Sequence, residues 1–208
     1  MQVRKQQLEL DMEHVHRFFV GRGARVKYVE KHYGSGDGNG KRILNPVTEC
    51  YMDEDSSMEM EMEQIKGVDS TIRTTKSELA KGAKLVVRER LMTHGEQHAE
   101  SVYLTELNGD GSSADVVSRS VARDNSYQKY TSRIVGKADC SGHTECDAIL
   151  MDNARVLAVP ELDAACLDAQ LVHEAAIGKI AGDQLIKLMT LGLTPEEAEE
   201  QIINGFLA

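Results

Sequence analysis

Met58-Glu59-Met60-Glu61-Met62-Glu63 alternates without a break between a long apolar and an acidic side chain. Successive side chains of a strand point to opposite faces, so this stretch predicts a β-strand with methionines facing a core and glutamates facing water. Shorter segments of the same kind lie on either side: Arg17–Val20, Arg25–Val29, Lys84–Arg88, Ala114–Val117, Asp147–Met151 and Arg155–Val159. They are short and rich in β-branched residues, as strands are. Several begin with a turn residue, a small residue, one intervening residue and an apolar one: Gly23-Ala24-Arg25-Val26, Gly82-Ala83-Lys84-Leu85, Asn153-Ala154-Arg155-Val156 and Asp168-Ala169-Gln170-Leu171. Ser56-Ser57 and Ser113-Ala114 open looser copies. The spacing is irregular, yet a small residue recurring before a short strand suits a chain that coils, where neighbouring coils approach closely at the corners.

Two glycine-rich stretches, Gly34–Gly40 and Asn108–Ser113, read as surface turns. The first lacks the Lys-Ser/Thr pair of a phosphate cradle, and the second lacks the alternating ligands and terminal glutamate of a calcium loop. From about Gly178 the period becomes helical. Leu185, Leu188 and Met189 share a face and Gly192 is a stop. Thr194-Pro195-Glu196-Glu197 then supplies a capping hydroxyl, a first-turn proline and a capping-box glutamate, with Gly205 expected to end the second helix. The organisation expected is a coiled β core over 1–174 and an antiparallel helical pair over 175–208, which either caps the coil or docks a partner.

The chain has 208 residues, long enough for one sizeable core, and carries 24 Lys and Arg against 34 Asp and Glu, a formal charge of −10. That field repels phosphate backbones and anionic membranes, so nucleic acid and membrane surfaces are not expected partners. No apolar run reaches the roughly 18 residues of a membrane span, and Met1–Gln7 lacks the apolar stretch of a signal peptide, which points to the cytoplasm. Cys50, Cys140, Cys146 and Cys166 are expected to remain thiols there. With no Trp, three Phe and six Tyr, a sugar-binding or base-stacking groove is disfavoured.

Soft and borderline metal donors gather in Cys140-Ser141-Gly142-His143-Thr144-Glu145-Cys146. A structural zinc site needs a fourth ligand that is not obvious nearby, and on a strand Cys146 and His143 point to opposite faces. Ordinary packing is the stronger reading from spacing alone. His173 and Glu174 stand where the chain turns toward the helices, a position that either serves function or lets the imidazole satisfy a backbone carbonyl. His14 with His16, and His94 with His98, are weaker pairs. A thiol nucleophile built from Cys146 and His173 lacks any sign of an oxyanion hole, and a carbohydrate-active β-helix enzyme using surface carboxylates lacks aromatic platforms. No enzymatic activity is expected.

The segments Gly142–Leu150, Leu157–Ala164, Val172–Ile180, Met189–Ala198 and Ile203–Phe206 resemble the C-terminal part of SufB/SufD proteins, and together they span about the last 70 residues. The resemblance implies a right-handed parallel β-helix followed by a small C-terminal α-helical pair, acting in iron-sulfur cluster assembly. It implies a dimer with itself or a SufB/SufD paralogue, docking to a SufC-like ABC ATPase through the helices, and a transient iron-sulfur cluster as cargo. By the same resemblance Cys146 is a sulfur-accepting or cluster-binding thiol, His173 a cluster ligand at the dimer junction and Glu174 a weaker candidate, with Cys140 and His143 weaker still as metal ligands. Thiolate and imidazole suit iron that must later leave. Val172 stands where SufB-like chains often carry an acidic residue. The expectation is that Cys146 and His173 meet from opposite subunits. The alternative is a SufD-like structural partner that holds no cluster.

Overall fold

In the computed structural model, residues 12–33 and 42–208 are described. The Gly34–Gly40 stretch and Met1–Gln7 lie outside them. Twelve strands of nine or ten residues follow one another: β1 Met12–Val20, β2 Arg25–Tyr33, β3 Ile43–Met52, β4 Ser57–Lys66, β5 Ser70–Leu79, β6 Lys84–Thr93, β7 His98–Leu107, β8 Ser113–Ala122, β9 Tyr127–Gly136, β10 Ser141–Leu150, β11 Arg155–Ala164 and β12 Gln170–Gly178. Two helices close the chain, α1 Gly182–Met189 and α2 Pro195–Leu207.

Odd strands form one parallel sheet, β1-β3-β5-β7-β9-β11, and even strands a second, β2-β4-β6-β8-β10-β12. Each turn of the chain gives one strand to each sheet, so the architecture is a six-turn parallel β-solenoid, the fold class expected. Contacts between successive turns recur at separations of 27, 28 and 29 residues. A parallel ladder without bulges keeps side chains in columns, and only the β2–β4 pairing breaks register, at its end.

The methionine strand is β4, with Met58, Met60 and Met62 buried in the core. The corner expectation holds at Ala24, Ala83 and Ala169, whereas the copy read at Ser113-Ala114 has its corner at Ser112 and Ala154 precedes the odd strand β11. Ala24, Ser56, Ala83, Ser112, Cys140 and Ala169 each precede an even strand, and the backbone of the next turn hydrogen-bonds to the carbonyl of each of the first five. The residue before the small one turns left-handed at Gly23, Asp55, Gly82 and Gly111. Gly82 could carry a side chain only by displacing Asp55, because its Cβ would fall 2.3 Å from Oδ1.

Between the sheets, the first turns enclose charge. Arg73 on β5 donates to Glu30 Oε2 at 2.7 Å and to His32 Nδ1 at 3.0 Å, and His32 Nε2 lies 2.8 Å from Glu30 Oε1. A guanidinium only donates, so His32 accepts at Nδ1 and donates from Nε2. Glu89 accepts from Ser101 and Ser118, each at 2.7 Å, and lies 3.7 Å from Arg73 Nε. Arg73, Glu30 and Glu89 are all buried.

The helices do not cap the coil's end. Helix α2 begins with the expected capping box, Thr194 Oγ1 accepting from the Glu197 amide and Glu197 Oε2 from the Thr194 amide at 2.8 Å. It sets Ile203 and Leu207 against Val121 of β8, and Glu199 accepts from Arg123 at 2.8 Å. Gly205 lies inside α2 rather than at its end, because Asn204 and Ala208 continue the helical hydrogen bonding past it. The α1 helix buries no residue and exposes Ile186 and Met189, with Leu191 beyond it. Strands β11 and β12, at the last edges of their sheets, have no fully buried residue, although Ala158 and Leu171 pack partly buried against the core. No helix among the described residues is long and apolar enough to cross a membrane.

Burial works to raise the Glu30 carboxyl, but the His32 hydrogen bond and the Arg73 charge outweigh it and hold the group down at about 2. A depressed carboxyl stabilises the fold above its unfolded value near 4.5 and loses that contribution as pH falls toward 2. The difference is on the order of 3 kcal/mol. Urea titrations from pH 6 to pH 2.5 should show stability falling through this window, with a shallower fall in Glu30→Gln.

Candidate functional site

The last two even strands hold most of the expected site. In β10 the burial alternates, so Gly142, Thr144, Cys146 and Ala148 face inward and His143, Glu145 and Asp147 outward. Register pairs Thr144 with Val116 and His173, and Cys146 with Ser118 and Ala175. Cys146 and His173 therefore share the inner face of one chain, on adjacent strands and one inward position apart. Within one chain the two residues are thus close in register.

Cys146 is 2% exposed. Burial, then the nearby Glu89 and Asp147 charges, push its thiol up to about 12. His173 is half-buried, and its Nδ1 lies 2.6 Å from Thr144 Oγ1, which in turn lies 3.3 Å from Ser132 Oγ. Burial first, and then the neighbouring His143, lower the His173 ring, against the opposing effect of Thr144. Lowered from an ordinary value near 6.5, the imidazole is neutral at pH 7 and has a nitrogen lone pair to offer.

The remaining candidates separate. Cys140 fills a corner position and is buried beside Gly136, whose added Cβ would lie 3.0 Å from its Sγ. Burial pushes that thiol up as well. It occupies the column otherwise filled by Ala and Ser, a packing role. His143 and Glu174 stand on the outer face, where His143 Nδ1 meets Asp115 Oδ1 at 2.8 Å and Asp115 also holds Arg88. Glu145 is raised by its hydrogen bond to Asp147, then by burial and by the Asp147 charge. The Cys140–Cys146 stretch is thus divided by the sheet, with its thiols inside and its imidazole outside.

Thr144, which holds the His173 ring, Ser132, which bonds Thr144 in turn, and Asp115, which holds the His143 ring, are not among the sequence candidates. The signal that finds them is the turn-to-turn offset, since 28 residues separate Asp115 from His143 and 29 separate Thr144 from His173. A concavity of about 420 Å³ beside the stacked Phe19 and Tyr51 lies toward the opposite end of the solenoid and shares no residue with this region.

The SUF system FeS cluster assembly, SufBD core domain, matches residues 12–206. The chain belongs to the SufBD core-domain family. An iron-sulfur cluster assembly SufBD family protein of Methanocaldococcus jannaschii is 30% identical over 190 residues, which cover 90% of this chain and 60% of that protein. A protein of the same description from Methanothermobacter thermautotrophicus is 41% identical over 104 residues, 49% of this chain and 25% of its own length. One from Pyrococcus horikoshii is 42% identical over 102 residues, 49% of this chain and 31% of its own. The chain thus spans less than two thirds of these relatives.

Thiol accessibility follows directly from the burial. In folded protein at pH 8, a maleimide should label the half-buried Cys166 quickly and Cys50, Cys140 and Cys146 only after denaturant is added. Mass mapping of the labelled peptides over time checks this, and rapid labelling of Cys146 would contradict its placement inside the turn.

Proposed function

We propose that this chain is a non-catalytic component of a SUF-type iron-sulfur cluster assembly complex, presenting Cys146 and His173 to a nascent cluster that is its cargo. The observation that carries the reading is their shared inner face in the last turns of the solenoid. His173 lies on the edge strand β12, which hydrogen-bonds to one neighbour only, and Cys146 lies one strand deeper. A soft sulfur donor and a neutral imidazole side by side form a donor set that takes iron and also releases it.

The open end supports pairing with a second copy or a SufB/SufD paralogue. Leu162 and Ile177 continue inward-facing columns but stay about 40% exposed because no further turn covers them. An uncovered sheet edge with apolar side chains is a template for another chain. The exposed apolar side of α1 supports docking to a SufC-like ABC ATPase, and the cytoplasm is the compartment in which the thiols remain reduced. The burial of Cys146 favours a second reading, a SufD-like structural partner that holds no cluster.

Reconstitution separates the two. Under anaerobic conditions with ferrous iron and sulfide, the protein should gain visible absorbance and bound iron, and Cys146→Ser should lose most of both. Equal loading in the variant removes Cys146 from cluster binding, and no loading in either favours the structural partner. Deletion of residues after Gly178 should abolish ATPase capture in a pull-down while circular dichroism retains the strand signal. Capture that survives the deletion assigns the contact to another surface.

A further inference from the structure

The outer face of the same two strands carries a second set of donors, separated from Cys146 by the thickness of the sheet. His143, Glu145 and Glu174 each place one ligand atom within 4.8 Å of the others. His143 and Glu145 are two residues apart on β10 and so project from one face, and Glu174 stands opposite Glu145 on β12. The imidazole is oriented from outside the trio. Asp115 on β8 accepts from Nδ1 at 2.8 Å and is itself held by Arg88. That hydrogen bond uses Nδ1 and leaves Nε2 as the nitrogen turned toward Glu174, 3.9 Å from its Oε2.

A carboxylate behind a histidine, with the far ring nitrogen facing further donors, is the arrangement by which proteins orient a metal-binding imidazole. Among the described residues no Lys or Arg forms an ion pair with Glu145 or Glu174. Bound ligands sit about 2.0–2.2 Å from a first-row divalent ion, so the trio must close slightly. Glu174, with 66% of its side chain exposed, has the freedom to do so.

We infer that His143, Glu145 and Glu174 form a binding site for a first-row divalent metal ion on the outer face of the solenoid, with Asp115 as the positioning residue. One borderline nitrogen and two hard oxygens suit Fe(II), Mn(II), Co(II) or Zn(II) rather than a thiophilic Cu(I). Three protein ligands leave positions for water or an incoming donor. The site needs neither the Cys146 thiol nor the His173 ring, so it stands independently of cluster binding.

Cobalt is the probe. Untagged protein is stripped with a chelator and titrated anaerobically with Co(II), following its d–d absorption. The expected result is saturation at one ion per chain, with His143→Ala and Glu174→Gln each weakening binding at least about tenfold. Asp115→Asn should weaken it about 10- to 100-fold while leaving the shape of the spectrum intact, as a positioning role requires. Cys146→Ser should titrate as the parent protein does, whatever it does to cluster loading. All four positions except Cys146 lie on the outer face, so unchanged thermal midpoints should accompany their variants. Absence of Co(II) binding, equal affinity in His143→Ala and Glu174→Gln, or a sulfur-to-cobalt charge-transfer band lost in Cys146→Ser would each overturn the assignment.

Discussion

A strand in a parallel sheet can hydrogen-bond on two sides, and in this solenoid each turn supplies the partner for the turn before it. The whole molecule depends on that succession. It sets the spacing of turns at 32 residues for the first and 27–29 for those that follow, places a small residue at the even-strand corners, and keeps inward and outward columns in register. It also means that the final turn lacks a successor. The exposure of β11 and β12 therefore follows from the architecture, and α2 does not remedy it because its apolar side chains are spent on Val121 at the flank.

The alternation that reveals half of this fold in the sequence is missing from the other half. Even strands carry inward Met, Leu and Val and read plainly, as β4 and β6 do. In the odd sheet the inward positions of β5 are Thr71, Arg73, Thr75 and Ser77, those of β7 include Ser101 and Thr105, and those of β9 include Gln128 and Ser132, all buried. A polar residue facing inward cannot be told by periodicity from one facing water. Strands β5, β7 and β9 are accordingly silent in the sequence. The helices were legible because capping is local chemistry, although Gly205 misled, since a glycine can interrupt propensity without ending a helix.

The site was legible in part for the same reason. Strand alternation placed Cys146 and His143 on opposite faces, which the structure shows. It could not supply their neighbours. Asp115 and Thr144 meet their histidines across the ladder between turns, and such contacts appear in a sequence only once the repeat length is known. The inner and outer faces consequently carry different chemistry, a thiol and imidazole within and an imidazole with carboxylates outside, although both derive from the same few residues of β10 and β12.

Burial sets the terms on which the inner pair can act. Raising the Cys146 thiol from an ordinary value near 9 to about 12 opposes its ionisation by on the order of 4 kcal/mol, so in the closed turn it is a thiol and not a thiolate. An iron species must either displace that proton inside the core or meet the sulfur after the covering strand has moved. The second route requires β12 to separate from β10 while the other five strands of its sheet remain paired. Edge elements with little buried apolar contact open at the low end of the range of local unfolding energies, and no residue of β12 is fully buried. On that second route, the strand that carries His173 is also the one paired against Cys146, so opening of the last turn would expose the thiol and displace the imidazole together.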